Sequence, residues 1–200
     1  LLNIDQYVAA KYLDPARWLA ARKTGVTATT IAKAMTPAGY REVVDSWDDD
    51  TPVEPNAYMD FGNDMEPWLA VWAKDEFGVL PNDWLMRHES DQLALATPDG
   101  ISLDWSEILE IKTTGKDWGE VSKIPIAYRR QIQWQLYVTG ADICHFVWML
   151  RAESNGVMVP AWFEPKHGII ERDDKMIAAM SEQAAKLWEN INERGNNGTI

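Results

Sequence analysis

The chain has 200 residues, 46% hydrophobic and 25% charged, with a formal net charge of −12. That length suits one sizeable core rather than two, and the composition is that of an ordinary globular protein. No run of about 18 apolar residues and no signal-peptide pattern is visible, so the expectation is a cytoplasmic protein with no membrane partner. The single cysteine, Cys144, excludes a disulfide framework and a four-cysteine metal or iron–sulfur site.

The elements are read in chain order. An N-terminal helical region is expected over roughly 5–22, and "TATTIAKAM" opens another helix. "SWDDDTPVEPN" (46–56) is acidic and proline-punctuated, a surface loop. "NDMEPWLAVWAKDEF" is a helix with Met65, Leu69, Trp72 and Ala73 on one face. Pro67 fits only a first turn, which places the helix start near Asn63 or Asp64. Strands follow near 83–88, 92–97, 100–104 and 107–113. "AYRRQIQWQLYVTG" is a helix ended by Gly140. "DICHFVWMLRA" and "GVMVPAWFEP" are strands. Asp173 or Asp174 caps a last helix with an apolar stripe of Met176, Met180, Ala184, Leu187 and Ile191. "RGNNGTI" (194–200) reads as a frayed tail. The order gives a single domain over 1–200 of the α/β or α+β class, a mixed sheet flanked by helices.

Charge is unevenly spread. Residues 41–66 hold nine acids and one arginine, whereas 11–33 and 111–130 each hold five basic residues. Local charge, not the total, steers a polyanion, so the acidic segment is expected on an outer surface or at a protein contact.

The chemistry-bearing stretch is "ATPDGISLDWSEILEIKTT". Residues two apart on a strand share a face, so Glu110 and Lys112 are neighbours and Ile111 points the other way. A preceding turn can bring Asp99 alongside. Two close carboxylates repel unless a cation bridges them, and oxygen ligation suits Mg²⁺ or Mn²⁺. The Ile111 carbonyl is a further candidate ligand. Lys112 can stabilise developing negative charge, so the set suits phosphodiester hydrolysis. Taken alone it is weak, because a Glu/Lys pair at this spacing is common on a solvated strand. Glu66, in "FGNDME", is a third acid able to reach the metal through water, or simply a carboxylate at a helix N-terminus. Tyr128 and Gln131 lie one turn apart on one helix face, where Gln131 can hold a water or a phosphate oxygen, or be an ordinary surface amide. The histidines His88, His145 and His167 show no metal spacing and receive no role.

Six stretches, in order, resemble one family: "WLAARKTGVTAT", "FGNDMEP", "TPDG", "LEIK", "AYRRQIQWQLYVT" and "IIERDDKMIA". The chain resembles the lambda-exonuclease, or YqaJ-type viral recombinase, branch of the PD-(D/E)xK nucleases. The resemblance implies a restriction-endonuclease-like core, with Asp99, Glu110 and the Ile111 carbonyl as metal ligands and Lys112 as the catalytic lysine. Glu66 would be the additional acid and Gln131 the helix glutamine, with Tyr128 nearby. Arg22 and Thr29 would bind a 5′-phosphate of DNA; a serine stands at the Thr29 position in the family. It also implies 5′-to-3′ degradation of double-stranded DNA ends for phage-type recombination, in a ring, as a homotrimer, beside a single-strand annealing protein. A metal-dependent endonuclease of the same fold and a non-catalytic DNA-binding module are the alternatives.

Overall fold

The computed structural model describes residues 6–11, 13–49, 51, 54–162 and 164–197. Tyr7–Ala10 form strand β1, which pairs antiparallel with β4 (Trp84–Arg87). This corrects the helical reading of 5–22: among its described residues Tyr7–Ala10 are strand, and the α-helix is Pro15–Arg22 (α1), capped by Asp14. The partner of β1 is far away in sequence, and tertiary pairing overrides local helix preference.

Thr27, at the end of β2 (Val26–Thr27), caps α2 (Ala28–Ala34). A further helix, α3 (Pro37–Asp45), was not anticipated; Thr36 caps it and Pro37 occupies its first turn. Helix α4 runs from Ala57 to Phe77, so the start expected near Asn63 is wrong. Asn56 caps it, accepting from the amides of Tyr58 and Met59, and Pro67 sits mid-helix. The Asn63 carbonyl that Pro67 cannot serve lies on an exposed residue, where water can satisfy it. Gly78, at φ 75°, ends the helix.

Two sheets organise the rest. The smaller has the order β1-β4-β5-β2, with β5 at Ala94–Ala96. The larger runs β10-β8-β7-β6-β3, with β9 added to β8. Its members are β3 (Leu80–Pro81), β6 (Gly100–Ile101), β7 (Glu107–Thr114), β8 (Ile143–Ser154), β9 (Val157–Pro160) and β10 (Lys166–Glu171). β6 is shorter than expected, and β9 stops at Pro160. Strands β7 and β8 are parallel and joined through α5 (Ile126–Thr139). Asn155 and Gly156, both at positive φ, close the β8–β9 hairpin.

Alternation along β7 divides the core. Leu109 and Ile111 pack with Leu69, Ala70 and Ala73 of α4. Ile108 joins Ile132 and Leu136 of α5, Phe146 and Trp148 of β8, and Met180 and Leu187 of α6 (Asp174–Asn197). The expected stripe of α6 is buried at Met180, Ala184, Leu187 and Ile191, and Asp173 caps the helix. α6 continues to Asn197, so 194–197 are helical rather than frayed; one glycine does not outweigh propagation from a packed stripe. Residues 198–200 lie outside the described residues. The architecture is α+β, a mixed sheet flanked by helices, as expected.

Phe77 stacks on both His145 and His167, with ring centroids 4.5 and 4.2 Å away. His145 Nδ1 meets His167 Nε2 at 3.0 Å, and His145 Nε2 meets Glu107 Oε2 at 2.8 Å. Burial, with His145 adding, holds the His167 imidazole below its ordinary value of 6.5. In that window the unfolded chain binds the proton and the fold does not, so stability falls as pH drops below 6.5. The thermal midpoint is expected to fall between about pH 7.5 and about pH 5.5, and less steeply in His167→Gln. Equal slopes for the two proteins would refute this.

Candidate active site

The site forms where β6 leaves β7. Gly100 and Ile101 pair with Leu109 and Ile108, and the Asp99 amide donates to the Leu109 carbonyl at 2.9 Å. Strand pairing then stops. The next inward amide, of Ile111, donates to Asp99 Oδ2 at 2.6 Å. One residue's N–H and C=O point to the same strand edge, so the Ile111 carbonyl faces this edge too. A glycine must follow Asp99: a Cβ at Gly100 would lie 2.9 Å from the Leu80 carbonyl oxygen and 3.0 Å from Leu109 Cβ.

Glu110 lies on the α5 side of β7 and is 1% exposed; Lys112, beside it, is 22% exposed. The Lys112 ammonium donates to Glu110 Oε1, which also accepts from Gln131 Nε2 at 2.7 Å. Glu110 Oε2 accepts from Gln135 Nε2 at 2.6 Å. A carboxylate offers about four lone-pair positions. Three are taken, leaving one on Oε2. Lys112 Nζ also sits 5.4 Å from the Tyr128 ring centroid. Glu110, Lys112, Tyr128 and Gln131 therefore meet; spacing alone had paired Glu110 with Lys112 and Tyr128 with Gln131, and the resemblance had joined the two pairs.

Sequence reading missed Gln135. Its signal was present: "QIQWQ" puts Gln131 and Gln135 one turn apart, on the face that meets Glu110. The middle amide, Gln133, points elsewhere and ties α5 to the entry of α6 through Glu171 O and the Asp173 amide. Thr97, two residues before Asp99, was also missed; its hydroxyl is buried without a partner.

Burial pushes the Asp99 carboxyl well above the usual carboxylate range, and Glu110 and Glu66 add to this while Lys112 opposes it. Glu66 thus acts on Asp99 from α4, on the opposite side from α5. Burial disfavours the Lys112 charge, but Glu110 and Asp99 outweigh it and raise its pKa. The chemical meaning is an excess of buried negative charge at an oxygen-lined edge. The oxygen positions not yet committed are Asp99 Oδ1, one lone pair of Glu110 Oε2, the Glu66 carboxylate and the Ile111 carbonyl. That set fits a hard divalent ion held by few protein ligands, as Mg²⁺ is. Among the described residues no three His, Cys, Asp or Glu side chains close into a complete metal cage; Lys112 takes the space against Glu110.

Arg22 and Thr29 make no hydrogen bond to this cluster. The Arg22 guanidinium stacks on Trp18, 4.5 Å from the ring centroid, and burial lowers its pKa. Thr29 is exposed in the first turn of α2. The link is Trp134 of α5, whose Nε1 donates to the Val26 carbonyl at 3.1 Å and fixes the start of α2 beside the glutamine helix. Cys144 is buried, and burial raises its thiol pKa. The described acids of the 41–66 segment are exposed except Glu66, which is half-buried. Glu42 pairs with Lys33 at 2.5 Å and Asp45 with Arg194 at 2.9 Å. Among the described residues no helix is long and apolar enough to cross a membrane.

An alkaline exonuclease (LHK-Exo) from Laribacter hongkongensis is similar in fold, with a TM-score of 0.71 and 26% identity over 88% of this chain and 92% of that one. The same exonuclease in complex with dAMP matches with a TM-score of 0.69 and 26% identity, covering 90% and 96%. A phage-related exonuclease from Haemophilus somnus 129PT shares the fold at 13% identity, with a TM-score of 0.63 over 88% and 96%. Among curated proteins none matches the chain in sequence. The YqaJ-like viral recombinase domain matches residues 17–142, which hold Arg22, Glu66, Asp99, Glu110, Lys112 and Gln131. With that match over more than half its length, the chain belongs to the YqaJ-like viral recombinase family.

Proposed function

We propose that this chain is a divalent-metal-dependent deoxyribonuclease that degrades double-stranded DNA ends 5′ to 3′, leaving a 3′ strand for phage-type recombination. The observation that carries it is the meeting of Asp99, Glu110 and Lys112 where β6 leaves β7. Asp99, the Ile111 carbonyl and Glu110, with Glu66 through water, would hold Mg²⁺ or Mn²⁺. When bound, the ion would supply a Lewis acid for the phosphate and activate a water. Gln131 and Gln135 orient the Glu110 carboxylate. Lys112 holds a positive charge where negative charge develops on the phosphate. Arg22 and Thr29, on the segment that Trp134 ties to α5, would take the 5′-phosphate.

The name of LHK-Exo, an alkaline exonuclease of 26% identity, supports exonuclease over endonuclease. One nuclease domain, a trimeric ring with a basic inner wall, a single-strand annealing partner and action in the host cytoplasm belong to the same proposal. Exposed acids on the 41–66 segment are consistent with an outer wall.

The test compares linear duplex, with and without a 5′-phosphate, and closed circular DNA, each with Mg²⁺ or a chelator. Linear DNA is expected to be digested only with metal, and the circle to survive. Arg22→Ala should slow digestion of phosphorylated ends about ten- to a hundredfold, the loss of one hydrogen-bonded charge contact. Equal cutting of the circle would move the reading to an endonuclease. No metal-dependent digestion would leave only a DNA-binding module.

A further inference from the structure

Arg151, on β8, has no part in the acid cluster. It projects to the α4 side of the sheet, the side of Val147 and Met149. Its Nη1 donates to the Thr113 carbonyl at 2.8 Å, and its guanidinium carbon lies 4.6 Å from the Tyr58 ring centroid. The plain reading is a clamp closing α4 onto β7. It explains those two contacts and leaves three observations over. No carboxylate pairs with Arg151 among the described residues. Its Nε is buried without a hydrogen-bond partner. Beside its other edge the space is open: a Cβ added at exposed Gly115 meets only Arg151 Nη2, at 3.9 Å.

Nε is sealed inside while Nη2 faces the open space, so the guanidinium, anchored at Nη1 and covered on one face, is placed to donate a charge-assisted bond to an anion through Nη2. The position is also telling. Thr113 adjoins Lys112 on β7, and Tyr58 lies about two turns before Glu66 on α4, roughly 12 Å along the axis. Exposed Lys116 adds positive charge at the same end of β7. We propose that Arg151, held by Tyr58 and the Thr113 carbonyl, binds a backbone phosphate of the DNA within a few nucleotides of the scissile position. This rests on the nuclease reading above. Arg151 is a binding residue; the reacting phosphate belongs to Lys112 and the acids.

The test measures DNA binding by fluorescence anisotropy with the full chain in Ca²⁺, over a salt series. Each phosphate contact contributes about 0.9 to the slope of log affinity against log salt on duplex and about 0.7 on a single strand. Arg151→Gln should weaken binding roughly five- to tenfold and flatten the slope by that one-contact amount. Arg151→Lys should keep the slope. Gly115→Asp leaves the Thr113 and Tyr58 contacts in place and sets a carboxylate beside Nη2. It should flatten the slope similarly, whereas Gly115→Asn should not. In turnover with Mg²⁺, Arg151→Gln should raise KM and leave kcat within about twofold, as loss of uniform binding does. An unchanged slope in both Arg151→Gln and Gly115→Asp, with wild type binding normally, overturns the role of Arg151 alone. Wild type that binds no DNA overturns this inference together with the nuclease reading.

Discussion

Asp99→Asn is expected to abolish DNA hydrolysis and at the same time to stabilise the metal-free protein. Two physical effects act in opposite directions on this one carboxylate. Catalytically, loss of an outer-shell partner of a metal already costs about ten- to a hundredfold, so loss of Asp99 as the proposed ligand should exceed a hundredfold. Energetically, the Asp99 carboxyl is buried beside Glu110 and Glu66, and its pKa stands well above the ordinary 3.8. Above that ordinary value the folded protein binds more protons than the unfolded chain, so this group's contribution falls as pH rises. Asparagine removes the charge and keeps an oxygen to accept from the Ile111 amide. At neutral pH the variant should therefore melt higher than wild type. Added Mg²⁺ should raise the wild-type midpoint and leave that of Asp99→Asn nearly unchanged, because only the protein that binds the ion gains from it. The checks are single-turnover digestion of linear duplex and thermal melts with and without Mg²⁺. Activity within tenfold of wild type, or a lower midpoint without metal, would count against the site.

Trp134→Ala should give the largest loss of stability. Trp134 is fully buried in the main core and bonds the Val26 carbonyl. Emptying such a site costs about 3–5 kcal/mol, a large share of the 5–15 kcal/mol typical of a domain. At roughly 2–4 °C per kcal/mol for this size, the midpoint should fall by about 6–20 °C. Trp134→Phe separates the two contributions, since it keeps most of the volume and removes only the indole's bond to the Val26 carbonyl, which stays in the β2–β5 ladder, at about 0.5–1.5 kcal/mol. Trp68→Ala, at a 45% exposed position, should stay within about 0.5 kcal/mol of wild type. Thermal melts of the three variants decide it; a fall of less than about 3 °C for Trp134→Ala would contradict the packing argument.

Helix α5 shows why part of this fold could be read early. Its apolar periodicity and Gly140, at φ 77°, mark its extent and end, and both are properties of adjacent residues. The same holds for α6, with Asp173 at its start and its stripe facing the core. Helix α4 was misread at its start because the proline rule is local. The cost of Pro67 is met by solvent at Asn63 and by the packing of Leu69, Ala70 and Ala73. Strand β1 was missed because its reason for existing is β4, whose pairing no local pattern announces.

The chemistry divides in the same way. Period-two geometry alone put Glu110 and Lys112 on one face of β7 and turned Ile111 to the other, because a strand's alternation needs no partner. Whether Asp99 joins them depends on where β6 stops pairing, which leaves the Ile111 amide to a side chain instead of a strand. The contacts of Gln135 with Glu110, Trp134 with Val26 and Arg151 with Tyr58 lie further still from any sequence pattern. Each joins elements that are distant along the chain, and only their packing sets the distances. Residue types and spacing thus placed Glu110 beside Lys112, and the ordered motifs of the resemblance gave the family. Burial, the unpaired edges and the route from Arg22 to the acid cluster came from the way helices α4 and α5 close on the two faces of β7.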